Sequence, residues 1–447
     1  MASSSTSDRH RTPTADPRNP PLKPTALVVT TTNWVPTARL AVALANAGFR
    51  VEALCPPQHP VGKTRAASRR HTYQGLTPLR SLARAIAAAN PHIVVPGDDL
   101  ATRHLHELYR RRELYSGGTT DLGSLIECSL GSPEAFPIVH ARAAFMKLAR
   151  EEGIRVPETE VVKTAEDVKN WIERVGFPTV LKADGTSGGE GVRMVRTAAE
   201  AQNALRKLQA PPLAARAFKR ALVNQDRTLI WPALLRHRPT VNAQAYVVGH
   251  EATSTIACWK GTVLSSLHFE VLRKCNAAGY ATVVRLIANA EMSTAVEKAV
   301  RRMGLSGLCG FDFMLEAGTG NAYLIEMNPR ATQVGHITLG AGRDLPAALC
   351  AAVSGHPSRV APLVTENDTI ALFPHEWARD PRSEFLRTGY HDVPWDTPEL
   401  VHFCVHRGRK QSKWYSRGAT TQETVVSPPP KKIPTQSGSV QLDCSVD

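Results

Sequence analysis

From Thr25 onward, short apolar runs alternate with longer stretches whose apolar residues recur every three or four positions. TALVVT has the length and content of a buried strand, and PTARLAVALANAG then carries a helical stripe that Gly48 ends. FRVEALC predicts a second strand, LTPLRSLARAIAAAN a second helix and HIVVPGDDL a third strand. Strand, helix and strand with short connections predict a parallel α/β unit over 25–131. Ligands of such sheets gather beyond the carboxyl ends of the strands, which here carry Thr30 to Asn33 and the Asp98-Asp99 pair. The two aspartates suit either a pocket edge or the cap of a following helix.

The texture changes at Ser132. HARAAFMKLAREEG reads as a helix ending at Gly153, and IRVPETEVV as a strand. Thr164 caps a helix with Val168, Trp171, Ile172 and Val175 at helical spacing, stopped by Gly176 and Pro178. TVLKAD, a glycine-rich loop and VRMVR predict a hairpin, and Thr197 with Glu200 forms a capping box for the next helix. A small α+β lid is therefore expected over 132–245, and an antiparallel block over 246–355. A Pro- and Trp-containing extension follows over 356–415. Residues 1–24 and 416–447, rich in Ser, Thr, Pro and charge, predict a disordered leader and tail.

Composition narrows the class. A chain of 447 residues with 42% hydrophobic content can bury large cores. No run reaches the roughly 18 to 20 apolar residues of a membrane span, and the N-terminus lacks the apolar core of a secretory signal. The eight cysteines are scattered, without CxxC pairs or zinc spacing, so a reducing, cytoplasmic setting is expected. A net charge of +14 invites nucleic acid. Most of the cations are Arg spread through Ala-rich helices, however, and the clusters Lys63 to Arg70 and Arg407 to Arg417 come with no recognisable nucleic-acid module. A solvated basic face is expected instead, with neither nucleic acid nor membrane as partner.

Two features carry chemistry. The loop DGTSGGEG lies between two strand-like segments, just after Lys182. Its glycines let backbone N–H groups turn toward an anion, and Lys182 adds a charge placed to reach phosphate oxygens. Gly185 to Gly189 matches a serine-hydrolase elbow, but that motif needs a following helix, and VRMVR is a strand. Gly62-Lys63-Thr64 resembles the end of a phosphate loop, but Pro57 occupies the position of its first glycine. The second feature is GFDFMLEAGTGNAYLIEMNPR, a predicted hairpin. Strand alternation puts Glu326 and Asn328 on one face, with Leu324, and Asp312 can face them from the partner strand. Two carboxylates and an amide oxygen suit Mg²⁺ or Mn²⁺. Arg330 follows at once, placed to bind a phosphoryl group as charge develops.

Lys182 with its glycine loop, Asp312 and the E-M-N-P-R run at Glu326 to Arg330 resemble the ATP-grasp superfamily over about 25–355. The resemblance implies a mixed α/β and α+β fold: a parallel N-terminal domain, a lid and an antiparallel metal-binding domain. It implies ATP held with Mg²⁺. Lys182 is then expected on the α- and β-phosphates, with Ser187, Gly188, Gly189, Glu190 and Gly191 as the flap. In NAQAYVVGHE, Ala245 and Val247 match the backbone contacts to adenine, and Glu251 matches the acidic residue near the ribose. Asp312, Glu326 and Asn328 match the metal ligands, and Arg330 the transition-state arginine. Two positions depart from the family pattern: Arg142 stands where many members have Lys, and Gln244 where the hinge often has Glu.

The resemblance also implies a reaction, namely phosphorylation of a small carboxylate followed by displacement of phosphate by an amine or thiol. Arg273, His268 and His336 are candidate substrate contacts. Two other readings stand beside this one. A bicarbonate-activating carboxylase-like enzyme would be expected to carry a biotin segment or a second ATP unit, and neither is present. A non-catalytic ATP sensor would not need every metal residue and Arg330.

Overall fold

The computed structural model describes residues 23–115, 120–186, 189, 191–210, 238–277, 279–358 and 361–415. Most of the leader, the tail from 416 onward and Ser187, Gly188 and Glu190 of the glycine loop lie outside them.

The N-terminal sheet is built from β1 (Thr25–Val29), β2 (Arg50–Cys55), β3 (Ala67–Thr72) and β4 (Ile93–Pro96). All pairs are parallel, in the order β3-β2-β1-β4. Alternation in β1 sends Ala26 and Val28 to one core and Leu27 and Val29 to another. The sheet is thus covered on both faces, as parallel sheets are. Helix α1 (Val35–Asn46) covers one face; α2 (Pro78–Ala89), α3 (Asp99–Arg110) and α4 (Leu122–Leu130) cover the other. The basic cluster beginning at Lys63 turns out to include edge strand β3, whose Arg69 and Arg70 are exposed. Its charge hid it from an apolar pattern and suits an edge that must not pair with another chain.

Helix α5 (Arg142–Glu151) leads into a small antiparallel sheet, ordered β5-β8-β6-β7. Its strands are β5 (Thr159–Val162), β6 (Thr179–Ala183), β7 (Val192–Val195) and β8 (Val241–Ala245), with α6 (Ala165–Val175) and α7 (Ala198–Gln209) on one face. Trp171 is fully buried there, and its indole N–H donates to Thr179 at 2.8 Å. The predicted strand IRVPETEVV is shorter than expected, because only its last residues pair, with β8. The cap of α7 is also half of what was expected. Thr197 accepts from Glu200 N–H, but the Glu200 carboxylate turns back to Arg196 N–H.

A seven-stranded sheet forms the centre. It comprises β9 (Gly249–Trp259), β10 (Thr262–Lys274), β11 (Ala281–Ile287), β12 (Gly307–Glu316) and β13 (Ala322–Asn328), with α8 (Ala290–Met303) and α5 packed on one face. Two strands from the C-terminal segment, β14 (Thr369–Ala371) and β15 (Tyr390–His391), complete its edge. The segment after 355 is therefore woven into this sheet rather than appended to it.

Asp392 ties that segment back to α1. Arg39 donates to both of its carboxylate oxygens at 2.5 and 2.6 Å, and His336 Nε2 lies 2.9 Å away. Burial alone would raise this carboxyl; the Arg39 guanidinium and His336 more than reverse that and bring it down to about 2. Its contribution is complete above the ordinary value of 3.8 and is lost as pH falls toward 2. Asp392→Asn is expected to lower unfolding free energy by about 3 kcal/mol at pH 7 in urea titrations. The gap to wild type should close as pH drops below 4, in step with that pKa; a gap that does not change with pH would contradict this assignment.

Candidate active site

The hairpin β12–β13 places Asp312 opposite Glu326 and Gly310 opposite Asn328. Between the pairs Asp312–Glu326 and Phe313–Leu324, Ile325 is an extra residue. This bulge corrects the alternation expected from sequence: Leu324 joins Phe311 and Phe313 in the core, while Glu326 turns to the other face with Asp312. Thr253 on β9 donates to Asp312 Oδ1 at 2.8 Å, and the Asn328 amide donates to Oδ2 at 2.8 Å. Burial, then the neighbouring Glu326, push the Asp312 carboxyl up to about 6. Among the described residues no three His, Cys, Asp or Glu converge as a metal group. The donor set is instead two carboxylates plus the Asn328 amide oxygen, a hard oxygen set suited to Mg²⁺. Two carboxylates held this close repel each other, and a divalent cation between them would relieve that repulsion.

Three cations face this pair. Arg142, at the first turn of α5, donates to Glu326 at 2.6 Å and to Asp184 at 3.0 Å, joining the central sheet to the small one. Asn242 on β8 also donates to Asp184, at 2.9 Å. Lys182 on β6 is buried, and burial brings its ammonium down to about 8 against the pull of Glu326. A lysine so desolvated favours any anion that can approach it. Arg330 donates to Asp99 at 3.0 Å and to the Asn328 amide oxygen at 3.2 Å, with its guanidinium 5.4 Å from the Trp34 ring centre. Burial opposes its charge, but Asp99, Asp312 and Asp98 outweigh that and raise its pKa.

The two aspartates divide their contacts. Asp98 caps α3 through Ala101 N–H and accepts from Thr30 and from Thr31 N–H at the end of β1. Asp99 instead holds Arg330.

The other candidates are placed unevenly. Gly189 and Gly191 lie between β6 and β7, in a strand-loop-strand context that suits no hydrolase elbow. The flap positions Ser187, Gly188 and Glu190 are outside the described residues. Ala245 ends β8 with its N–H bonded to Glu158 C=O, which leaves that N–H unavailable to a base. Val247 lies in the short link to β9, and Glu251 on β9 pairs with Lys274 at 2.6 Å. Gln244 is buried and donates to Thr159 at 3.0 Å.

His268 does not face Asp312. Its two ring nitrogens meet Ser254 at 2.7 Å and Ser293 at 2.8 Å, on the α8 side of the sheet. Arg273 is exposed and lies over Phe385 at 5.1 Å, and His336 is engaged by Asp392. Sequence reasoning missed Thr253 and Asp184. The first is signalled only by its register opposite Asp312; the second directly follows the strand that carries Lys182.

A small antiparallel sheet that meets a larger one, with a carboxylate hairpin at the junction, is the arrangement of an ATP-grasp fold. Two family models match adjoining segments of the chain: residues 141–235 match the carbamoyl-phosphate synthase L chain ATP-binding domain and residues 235–334 the ATP-grasp domain. The fold resembles that of carboxyaminoimidazole ribonucleotide synthase from Aspergillus clavatus, solved with ATP (TM-score 0.55, 18% identity, 77% of this chain and 80% of that one). It also resembles N5-carboxyaminoimidazole synthetase from Staphylococcus aureus, solved with ADP (TM-score 0.53, 15% identity, 74% and 78% covered). In sequence, the large-chain N-terminal section of carbamoyl phosphate synthase from Aquifex aeolicus is 23% identical over 49% of this chain. Biotin carboxylase from Haemophilus influenzae is 29% identical over 38% of it. These matches cover only 37% and 34% of the two relatives' lengths.

Removing Arg142 alone leaves Glu326 and Asp184 without their shared cation. Arg142→Met is expected to cost about 3 kcal/mol in urea unfolding of the nucleotide-free protein. Adding Glu326→Gln should recover part of that loss, because one uncompensated charge disappears. Strict additivity of the two substitutions would contradict the bridge.

Proposed function

We propose that this protein is an ATP-dependent, ADP-forming ligase that activates a carboxylate as an acyl phosphate and passes the acyl group to an amine or thiol. The observation that carries the reading is the convergence of Asp312, Glu326, Asn328 and Arg330 with Lys182 and Arg142 at the junction of two sheets. Mg²⁺, once bound, would neutralise phosphate charge and hold the terminal phosphoryl group in line. Asp312 and Glu326 would hold the cation, with Asn328 as the third oxygen donor. Lys182 and Arg142 would bind α- and β-phosphate oxygens, Arg142 exchanging an Asp184 contact for the nucleotide. The glycine loop, including Ser187, Gly188, Gly189, Glu190 and Gly191, would cover the phosphates and exclude water. Val247 and Glu251 remain the proposed contacts to base and ribose.

The chemistry balances simply. A carboxylate oxygen attacks the γ-phosphorus and the bond to the β-phosphate oxygen breaks, releasing ADP. Arg330 stabilises the charge that develops on the transferred group. The nucleophile then attacks the acyl carbon, and phosphate leaves with one oxygen of the original acid. Bicarbonate is the first acid to test, because a 2-oxoglutarate carboxylase domain of the same fold (TM-score 0.50) was solved with MgADP and bicarbonate.

The test is phosphate release from MgATP across bicarbonate, amino acids and other small acids, alone and paired with amines or thiols. Release should require one acid and one nucleophile, and fall at least a hundredfold, roughly, in Arg330→Ala and Glu326→Ala. Tight MgATP binding with no release for any pair would favour a nucleotide sensor instead.

A further inference from the structure

The segments matched by the family models begin at residue 141, yet one helix before them brings a guanidinium to the glycine loop. Helix α3 turns a single face toward the site. Asp99 holds Arg330, and one turn later Thr102 donates to Pro329 C=O at 2.8 Å. Arg103, four residues after Asp99, shares that face. Its two terminal nitrogens lie 2.7 Å from the point a β-carbon on Gly185 would occupy, so the guanidinium rests on the backbone at the start of the glycine loop. A β-carbon there would push the guanidinium aside, and the backbone at Gly185 has φ +79, which L side chains rarely adopt.

Among the described residues no carboxylate lies within ion-pair distance of Arg103, and its Nε is buried without a hydrogen-bond partner. Asp184 is near enough to feel its charge, but the Asp184 oxygen Oδ1 is already taken by Arg142 and Asn242. A partly buried guanidinium with an unmet donor is costly unless an anion completes it. Three reference points locate where that anion would sit. Gly185 marks the loop over the phosphates, Glu326 marks the metal side through Arg142, and Arg330 lies against the same helix one turn away. The end of the nucleotide chain falls among them; the adenine end, at β8, does not.

The geometry points to Arg103 as a ligand of the γ-phosphoryl group, supplied by the N-terminal α/β unit to a nucleotide site otherwise built by the two later sheets. This assignment rests on the nucleotide reading above and adds a residue that discriminates ATP from ADP. It also gives the N-terminal unit a way to sense whether the terminal phosphate is present.

The experiment is calorimetric binding of magnesium β,γ-imido-ATP and of magnesium ADP to wild type, Arg103→Ala and Arg103→Lys. Arg103→Ala should weaken the imido-ATP complex about tenfold and ADP by less than about twofold, with Arg103→Lys in between, because a point charge replaces a two-pronged donor. Should the alanine variant fail to fold, Arg103→Gln carries the same comparison. Equal losses for both nucleotides, or no loss for either, would overturn the γ-phosphoryl assignment while leaving the nucleotide site intact. Wild type that binds neither nucleotide overturns both.

Discussion

Asp312 and Glu326 stand directly opposite each other on neighbouring strands, and the repulsion between those carboxylates is the constraint that organises the site. In water such a pair would separate. On a half-buried sheet face it must be offset in place, and each neighbour contributes a part: Thr253 and Asn328 donate to Asp312, and Arg142 donates to Glu326. Burial, and then Glu326, still leave the Asp312 carboxyl raised to about 6. A cation arriving there, as the proposed function requires, would relieve the repulsion.

The same contacts hold the three sheets in register. Arg142 carries the interaction from Glu326 to Asp184 at the end of β6, and Asn328 passes it through Arg330 to Asp99 at the start of α3. The site is therefore a junction rather than a pocket inside one unit. Displacing any cation from the cluster, as an incoming phosphate chain would displace Arg142 from Asp184, alters contacts between sheets as well as local charge. Under the proposed function, binding and the relative placement of the sheets would be coupled through these contacts.

Much of this was legible in the chain itself. Apolar runs separated by amphipathic stretches revealed the parallel unit, because both faces of its sheet are covered and β1, β2 and β4 carry little but apolar residues. The hairpin itself, with Asp312 on the strand facing that of Glu326, was also legible in the sequence. What alternation could not reveal is the bulge at Ile325, since one extra residue leaves no mark on composition yet moves Leu324 to the core. Strand β3 was hidden by its arginines. Strands β14 and β15 were hidden by their length, two or three residues being too short for any period. His268 looked like a pocket residue because it lies on a strand beside the site; its side chain emerges on the helical face, where two serine hydroxyls satisfy it. Contacts between units, such as Arg330 with Asp99, depend on tertiary placement that sequence spacing does not encode.

The most direct measurement follows oxygen. The acid that supports phosphate release is labelled with ¹⁸O in its carboxylate, incubated with MgATP and the nucleophile, and the released phosphate is analysed by mass spectrometry. An acyl phosphate requires one labelled oxygen in each phosphate formed. Phosphate carrying no label, with ADP produced at the same rate, would mean that the terminal phosphoryl group never reached the carboxylate.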